Sequence, residues 1–305
     1  MANLSPFRGP QQRAQFIAKY ESIMRSWPVP CEEHDVETAF GQTHVAVSGP
    51  PSAPPLILLH GASATLTMWS PIITELADSY RCYCIDTITD ANKSVAVQLI
   101  GDAADYVDWL QQIFSALGIT QARVAGLSYG GWLAALLALR APERVSHLVL
   151  LSPGATLAPF PAQFFARMLA PGLLRSRFLA RRAMQWVSAT PDAMSDPGVE
   201  LIAENFMACR SMRREMMPPT VLTDDELRRL HARVTVLIGD REVIYRGGAK
   251  PALARAQKHI PNVHTQLMSN ANHMLTLDCP KQLITEMLAA LADPPPDQPL
   301  SPPTV

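Results

Sequence analysis

Apolar side chains recur along this chain with two periods, and the change from one to the other marks its elements. Phe16, Ile17, Tyr20, Ile23, Met24 and Trp27 follow helical spacing, which predicts a helix over residues 11–27. His34 to Val47 alternates polar and apolar positions around Gly41 and reads as a short antiparallel hairpin at a sheet edge. Pro50, Pro51, Pro54 and Pro55 then block regular ladders and mark a turn. Further on, Leu56 to Leu59 is apolar at successive positions, and Cys82 to Ile85, Arg123 to Ala125, Leu148 to Leu151, Val234 to Ile238 and Thr265 to Met268 are further strand candidates. Strands buried on both sides look like this when helices cover both faces of a parallel sheet.

Between these runs the helical period returns. Ala103, Val107, Leu110, Phe114 and Leu117 form one face, and Gly118 is placed to end that helix. Leu133 to Leu139 is rich in Ala and Leu and reads as a buried helix limited by Pro142. Leu283, Ile284, Met287, Leu288 and Leu291 give the apolar face of a last helix opened by Pro280. Repeated strand–helix alternation predicts an α/β domain with a mostly parallel central sheet and helices on both faces.

That rhythm breaks over residues 155–219, which hold Phe160, Phe164, Phe165, Phe178, Trp186 and Phe206 together with seven of the thirteen methionines. The segment also carries eight arginines against five acids. Short amphipathic helices broken at Pro171-Gly172 and Pro197-Gly198 are expected. They form either a layer that completes the core or a lid whose methionines adapt around an apolar ligand. The expected organisation is a helical lead over 1–30, a first part of the core over 31–154, a cap or lid over 155–219, a second part of the core over 220–292 and a proline-rich disordered tail over 293–305.

Composition narrows the classes. A chain of 305 residues with 48% hydrophobic positions supports a large core, and 26 basic against 27 acidic residues leave no overall field to gather nucleic acid. No uncharged apolar run approaches the length of a membrane span, and Arg8, Arg13 and Lys19 interrupt the start. Cys31, Cys82, Cys84, Cys209 and Cys279 are odd in number and scattered, without metal-ligand spacing; they read as reduced packing residues of a cytoplasmic protein.

The sharpest local signal is Gly126-Leu127-Ser128-Tyr129-Gly130, set between an apolar strand and an Ala/Leu-rich helix. Glycines on both sides let strand and helix approach through a tight turn that leaves Ser128 projecting at a helix N-terminus, where negative charge is favoured. With this motif the sequence resembles the α/β-hydrolase superfamily, from the 30s to about residue 292, and in particular a serine carboxylesterase-like member with a helical lid. The resemblance implies that His60-Gly61-Ala62 is the oxyanion loop, with the backbone N–H groups of Ala62 and Tyr129 as donors, while His60 is structural. It implies His273, after the last strand, as the base; Asn272 stands where glycine is more usual. By the same resemblance the acid stands three positions beyond Gly239, which selects Glu242 where aspartate is commoner, with Asp240 as the alternative.

The implied reaction is hydrolysis of a carboxylic ester of an apolar or aromatic small molecule through an acyl-enzyme, needing no metal or organic cofactor. Thioester or lactone hydrolysis, carbon–carbon bond hydrolysis and cyclising acyl transfer use the same apparatus, and a non-catalytic ligand-binding or interaction scaffold is the reading from another class. Serine at the elbow argues against epoxide hydrolase or haloalkane dehalogenase chemistry, which in the resembling enzymes uses aspartate there. Trp69, Leu127, Phe164, Met168, Met184, Trp186, Met207 and Met274 are candidate pocket residues, Trp69 being as well suited to core packing. The insertion is a candidate surface for a homodimer.

Overall fold

The computed structural model describes residues 4–208 and 217–293, the side chains of Met207 and Ala208 excepted. In chain order its elements are α1 (Pro10–Met24), β1 (Cys31–Thr38), β2 (Gly41–Ser48), β3 (Pro55–Leu59), α2 (Ile73–Ser79), β4 (Arg81–Ile85), β5 (Val95–Ala96), α3 (Ala103–Ala116), β6 (Ala122–Leu127) and α4 (Tyr129–Arg140). Then come β7 (Val145–Leu151), α5 (Ala162–Leu174), α6 (Arg177–Val187), α7 (Pro197–Ala208), α8 (Asp224–Arg228), β8 (Arg233–Gly239), α9 (Ala249–His259), β9 (Val263–Met268), α10 (Leu275–Asp278) and α11 (Pro280–Leu291).

The strands form one sheet in the order β1-β2-β4-β3-β6-β7-β8-β9, with β5 paired to β2. The β1–β2 hairpin lies at the edge and β2 meets β4 antiparallel, whereas every pair from β4 to β9 is parallel. Alternation of side chains explains the two-faced apolar runs. Leu56 and Leu58 join Tyr20, Leu76, Leu283 and Met287 on one face; Ile57 and Leu59 join Trp109, Phe114, Trp132 and Leu133 on the other. The fold expected from the sequence, a mostly parallel sheet between helical layers, is the one observed.

Several boundaries differ from the expectation. The first helix stops at Met24, and Trp27 instead donates its ring N–H to Ser48 Oγ at 3.1 Å. The buried helix begins at Tyr129 rather than Leu133, so Gly130 and Gly131 are helical despite their low propensity. Pro171 does not break the insertion: α5 runs through it to Leu174. The proline gives up one backbone bond, to the carbonyl four residues earlier, and is buried against its neighbours. A Cβ on Gly172 would stand 2.7 Å from the Phe206 carbonyl, so this glycine lets α5 lie close to α7. Helices α2, α8 and α9 had no reading from the sequence, although α8 carries a capping box, Thr223 with Glu226. Residues 294–305, most of the proline-rich tail, lie outside the described residues.

The tightest approach is between β3, β6 and α4. A Cβ on Gly126 would meet the Gly130 carbonyl at 2.2 Å, and one on Gly130 would meet the Leu59 carbonyl at 2.1 Å. Both obstacles are backbone, which cannot swing aside. Gly130→Ala should therefore cost about 3 kcal/mol or more, read as a fall in the urea midpoint at unchanged slope; a midpoint like wild type would contradict the close approach.

Candidate active site

Ser128 occupies the single position between β6 and α4 and adopts φ 54° and ψ −113°. Such a backbone is strained by about 1–3 kcal/mol for a residue with a side chain and persists only when its surroundings fix it. Here the Ser128 N–H donates to Leu151 O at 2.9 Å, while its carbonyl accepts from Gly154 N–H at 2.8 Å and Trp132 N–H at 3.1 Å. The next residue, Tyr129, opens the helix, so its N–H has no intrahelical acceptor. The Tyr129 side chain is turned into the core, its hydroxyl at 2.9 Å from both Tyr106 Oη and Met217 O.

The loop after β3 passes directly against this turn: a Cβ on Gly61 would stand 3.4 Å from Ser128 Cβ. His60 is wholly buried, with Nδ1 donating to Gly61 O at 2.8 Å and Nε2 accepting from Thr87 N–H at 2.9 Å. Burial drives its pKa down, against the pull of Asp86 and the Gly61 carbonyl, so the neutral ring acts as a strut. Asp86 ties the same region together, accepting from Leu66 N–H, Lys93 N–H and the Tyr20 hydroxyl. Asp90 accepts from Ser63 N–H at 3.2 Å, one residue beyond Ala62.

On the far side of the cleft, His273 Nδ1 lies 3.0 Å from Glu242 Oε2. The other carboxylate oxygen accepts from Val243 N–H at 2.9 Å and Ile244 N–H at 3.0 Å. Burial alone would push the Glu242 carboxyl up, but the charge and hydrogen bond of His273 and the Ile244 N–H outweigh it and hold the pKa below its ordinary 4.5. Ser152 stands beside this carboxylate and lowers it further, although its hydroxyl lies outside hydrogen-bond geometry. Carboxylate at Nδ1 makes that nitrogen the donor and leaves Nε2 as the free base. Asp240, the alternative acid, is exposed and accepts from Asn270 N–H and Ala271 N–H at 3.1 and 3.2 Å. It braces the turn before His273, and no hydrogen bond or ion pair joins it to the imidazole among the described residues.

Ser128, Ala62 and His273 line one cavity of about 600 Å³. No direct Ser128–His273 hydrogen bond occurs among the described contacts, and the His273 ring is bonded to Glu242. Leu127, Phe164, Met168, Met184 and Met274 also line the cavity. Trp69 does not, being wholly buried against the layer of α1 and α2, and Trp186 is turned under Arg167, whose guanidinium lies 5.0 Å from its ring. The Met207 side chain lies outside the described residues. Absent from the sequence reading were Lys19, Ser22 and Ile23 of α1, Ser26 in the turn after it, Met68, and Val199 and Ile202 of α7. Lys19 joins the two helices at the rim by pairing with Glu200 at 3.2 Å and with Glu204.

Residues 56–286 match the model of the family described as Alpha/beta hydrolase family. A Bacillus subtilis (strain 168) protein named uncharacterized carboxylesterase nap is 36% identical over 271 residues, 87% of this chain and 88% of its own. Carboxylesterase YbfK of the same organism is 31% identical over 290 residues, 93% of this chain and 96% of its own. The crystal structure of the naproxen esterase (carboxylesterase NP) from Bacillus subtilis superposes with a TM-score of 0.85 at 32% identity, covering 92% of this chain and 99% of that one.

The lowered Glu242 pKa carries a stability consequence. A depressed carboxylate contributes stability that is fully present above its ordinary 4.5 and is lost as pH falls through the lower folded-state value. Urea unfolding of wild type and Glu242→Gln should differ near neutrality and converge in acid; a gap that persists below both pKa values would contradict the pairing. In activity, Glu242→Gln should lower kcat by roughly 10²–10⁴-fold, whereas Asp240→Asn should stay far closer to wild type. The reverse order would reassign the acid.

Proposed function

The chain belongs to the alpha/beta hydrolase family, and from that premise we propose that it is a serine carboxylesterase acting on esters of apolar or aromatic small molecules. Ser128 Oγ attacks the ester carbonyl while His273 Nε2 takes its proton. Glu242 holds Nδ1–H, fixing the tautomer and stabilising the imidazolium. The oxyanion is met by the N–H groups of Ala62 and Tyr129, donors set before the charge develops. His273 then gives its proton to the leaving alcohol, and the acyl group stays on Ser128. Water, activated by the same imidazole, releases the acid and restores the serine.

One observation carries this reading. A strained serine and a carboxylate-bound histidine, from segments more than a hundred residues apart, line the same cavity. The substrate class is read from the wall: Phe164, Met168, Met184, Phe206, Met274 and Leu277 make it apolar, and the charged groups Lys19, Asp196 and Glu200 come from α1 and from the start of α7. Methionines adapt to irregular shapes, so a bulky acyl or aromatic group suits this surface better than a small polar one. The expectation of a cytoplasmic enzyme, with the cap available to a second copy, belongs to the same reading; no helix among the described residues is long and apolar enough to cross a membrane.

A panel of esters, thioesters and lactones tests the assignment, with a naproxen ester included because a structural relative is named for one. Aromatic-acid esters should exceed acetate esters of the same alcohol in kcat/KM by about 10-fold or more. Ser128→Ala should lose about 10⁴-fold or more of kcat on the best substrate. Undiminished hydrolysis by that variant, or thioesters preferred over every ester, would contradict the proposal.

A further inference from the structure

The segment that leaves the cap after α6 is bonded to the loop that carries His273. His273 N–H and Met274 N–H donate to Val187 O at 3.0 and 3.3 Å, and Asn272 Nδ2 donates to Trp186 O at 2.9 Å. Asp278, at the end of α10, completes the link from below. Its Oδ1 accepts from the Ser188 hydroxyl at 2.6 Å, Ala189 N–H at 2.9 Å, Thr190 N–H at 3.1 Å and the Thr190 hydroxyl at 3.0 Å. Its Oδ2 accepts from Asn272 N–H at 2.9 Å, immediately before His273. No ion pair to Asp278 occurs among the described residues, so its charge is met by these donors alone, each bond charge-assisted.

We propose that Asp278 is a positioning residue that fastens the histidine loop to the end of α6, so that His273 keeps its catalytic orientation only while the cap is seated over the cavity. The cap side of the link is continuous with the substrate wall, since Met184 and Val187 of α6 line the same cavity as His273 and Met274. A shift of α6 that opened that wall would pull on residues 188–190, and through Asp278 on the backbone of Asn272. Glu242 fixes the ring at Nδ1 from the β8 side, and Asp278 fixes the backbone from the cap side. A displacement of about 1 Å at a reacting group can cost about 10²-fold in rate, so a clamp of this kind acts on kcat rather than on binding.

The inference rests on His273 being the base, and the test separates the two. Purified full-length wild type, His273→Ala, Asp278→Ala, Asp278→Asn and the double variant Ser188→Ala/Thr190→Val are compared on the best ester for kcat, KM and thermal midpoint. Asp278→Ala should lose about 10²-fold in kcat with KM changed less than about threefold. Asp278→Asn keeps an oxygen for the 188–190 donors but cannot accept from Asn272 at its amide nitrogen, and should recover part of the loss. The double variant, which removes only hydroxyls on the cap side, should lower kcat by several-fold in a folded protein even if Asp278→Ala does not fold. A folded Asp278→Ala, or the double variant where that one does not fold, with wild-type kcat and only a lower thermal midpoint would overturn the clamp. Wild-type activity in His273→Ala would instead overturn the base on which it rests.

Discussion

The close packing of three backbones, β3, β6 and the start of α4, is the constraint from which the site follows. Gly126 and Gly130 leave no room for a side chain, and the residue between strand and helix is forced into a left-handed conformation. That residue is Ser128. Its strain is held by hydrogen bonds to β7 and the loop after it, and by a helix whose residues from Tyr129 to Leu139 are all buried. The geometry does two things together: it turns the hydroxyl out of the sheet and leaves the first helical N–H beside it without an acceptor.

Around this fixed point the remaining groups are sorted by their environments. Glu242 and Asp240 are two residues apart, yet one is buried against an imidazole and the other is exposed and spends its oxygens on backbone N–H groups. Burial next to a cation-forming ring makes the first carboxylate responsive to the charge state of His273, and the second braces the loop that presents it. Gly239 contributes to the same end, since a Cβ there would stand 2.4 Å from the carbonyls of Ala271 and Asn272. Acid turn and histidine loop are therefore packed as one unit, joined through residues 186–190 to the end of α6.

The sheet was legible because its central strands are apolar on both faces, a pattern that helical layers on both sides require. The elbow was legible for a related reason: glycines flanking a serine between strand and helix have a local physical meaning. His273 and Glu242 have no such signature. Their meeting joins residues 31 positions apart, and only the resemblance to a known superfamily pointed to them. The pocket was harder still. Periodicity identifies an apolar face on α1 but does not reveal that Ser22, Ile23 and Ser26 border the cavity, and large aromatics were natural candidates although Trp69 is spent on the core. Pro171 misled in the same way: the helix runs through it, with the proline buried and Gly172 beside it lying close to α7.

Hydrolysis at this site requires Ser128 to be an activated nucleophile in the cavity it shares with His273. Intact-protein mass spectrometry after treatment with a fluorophosphonate, followed by peptide mapping, tests this most directly. One phosphonyl group per folded chain on the peptide containing Ser128, absent in Ser128→Ala and strongly slowed in His273→Ala, is the expected result. A folded wild-type protein that stays unlabelled, or one labelled at a different residue, would contradict it.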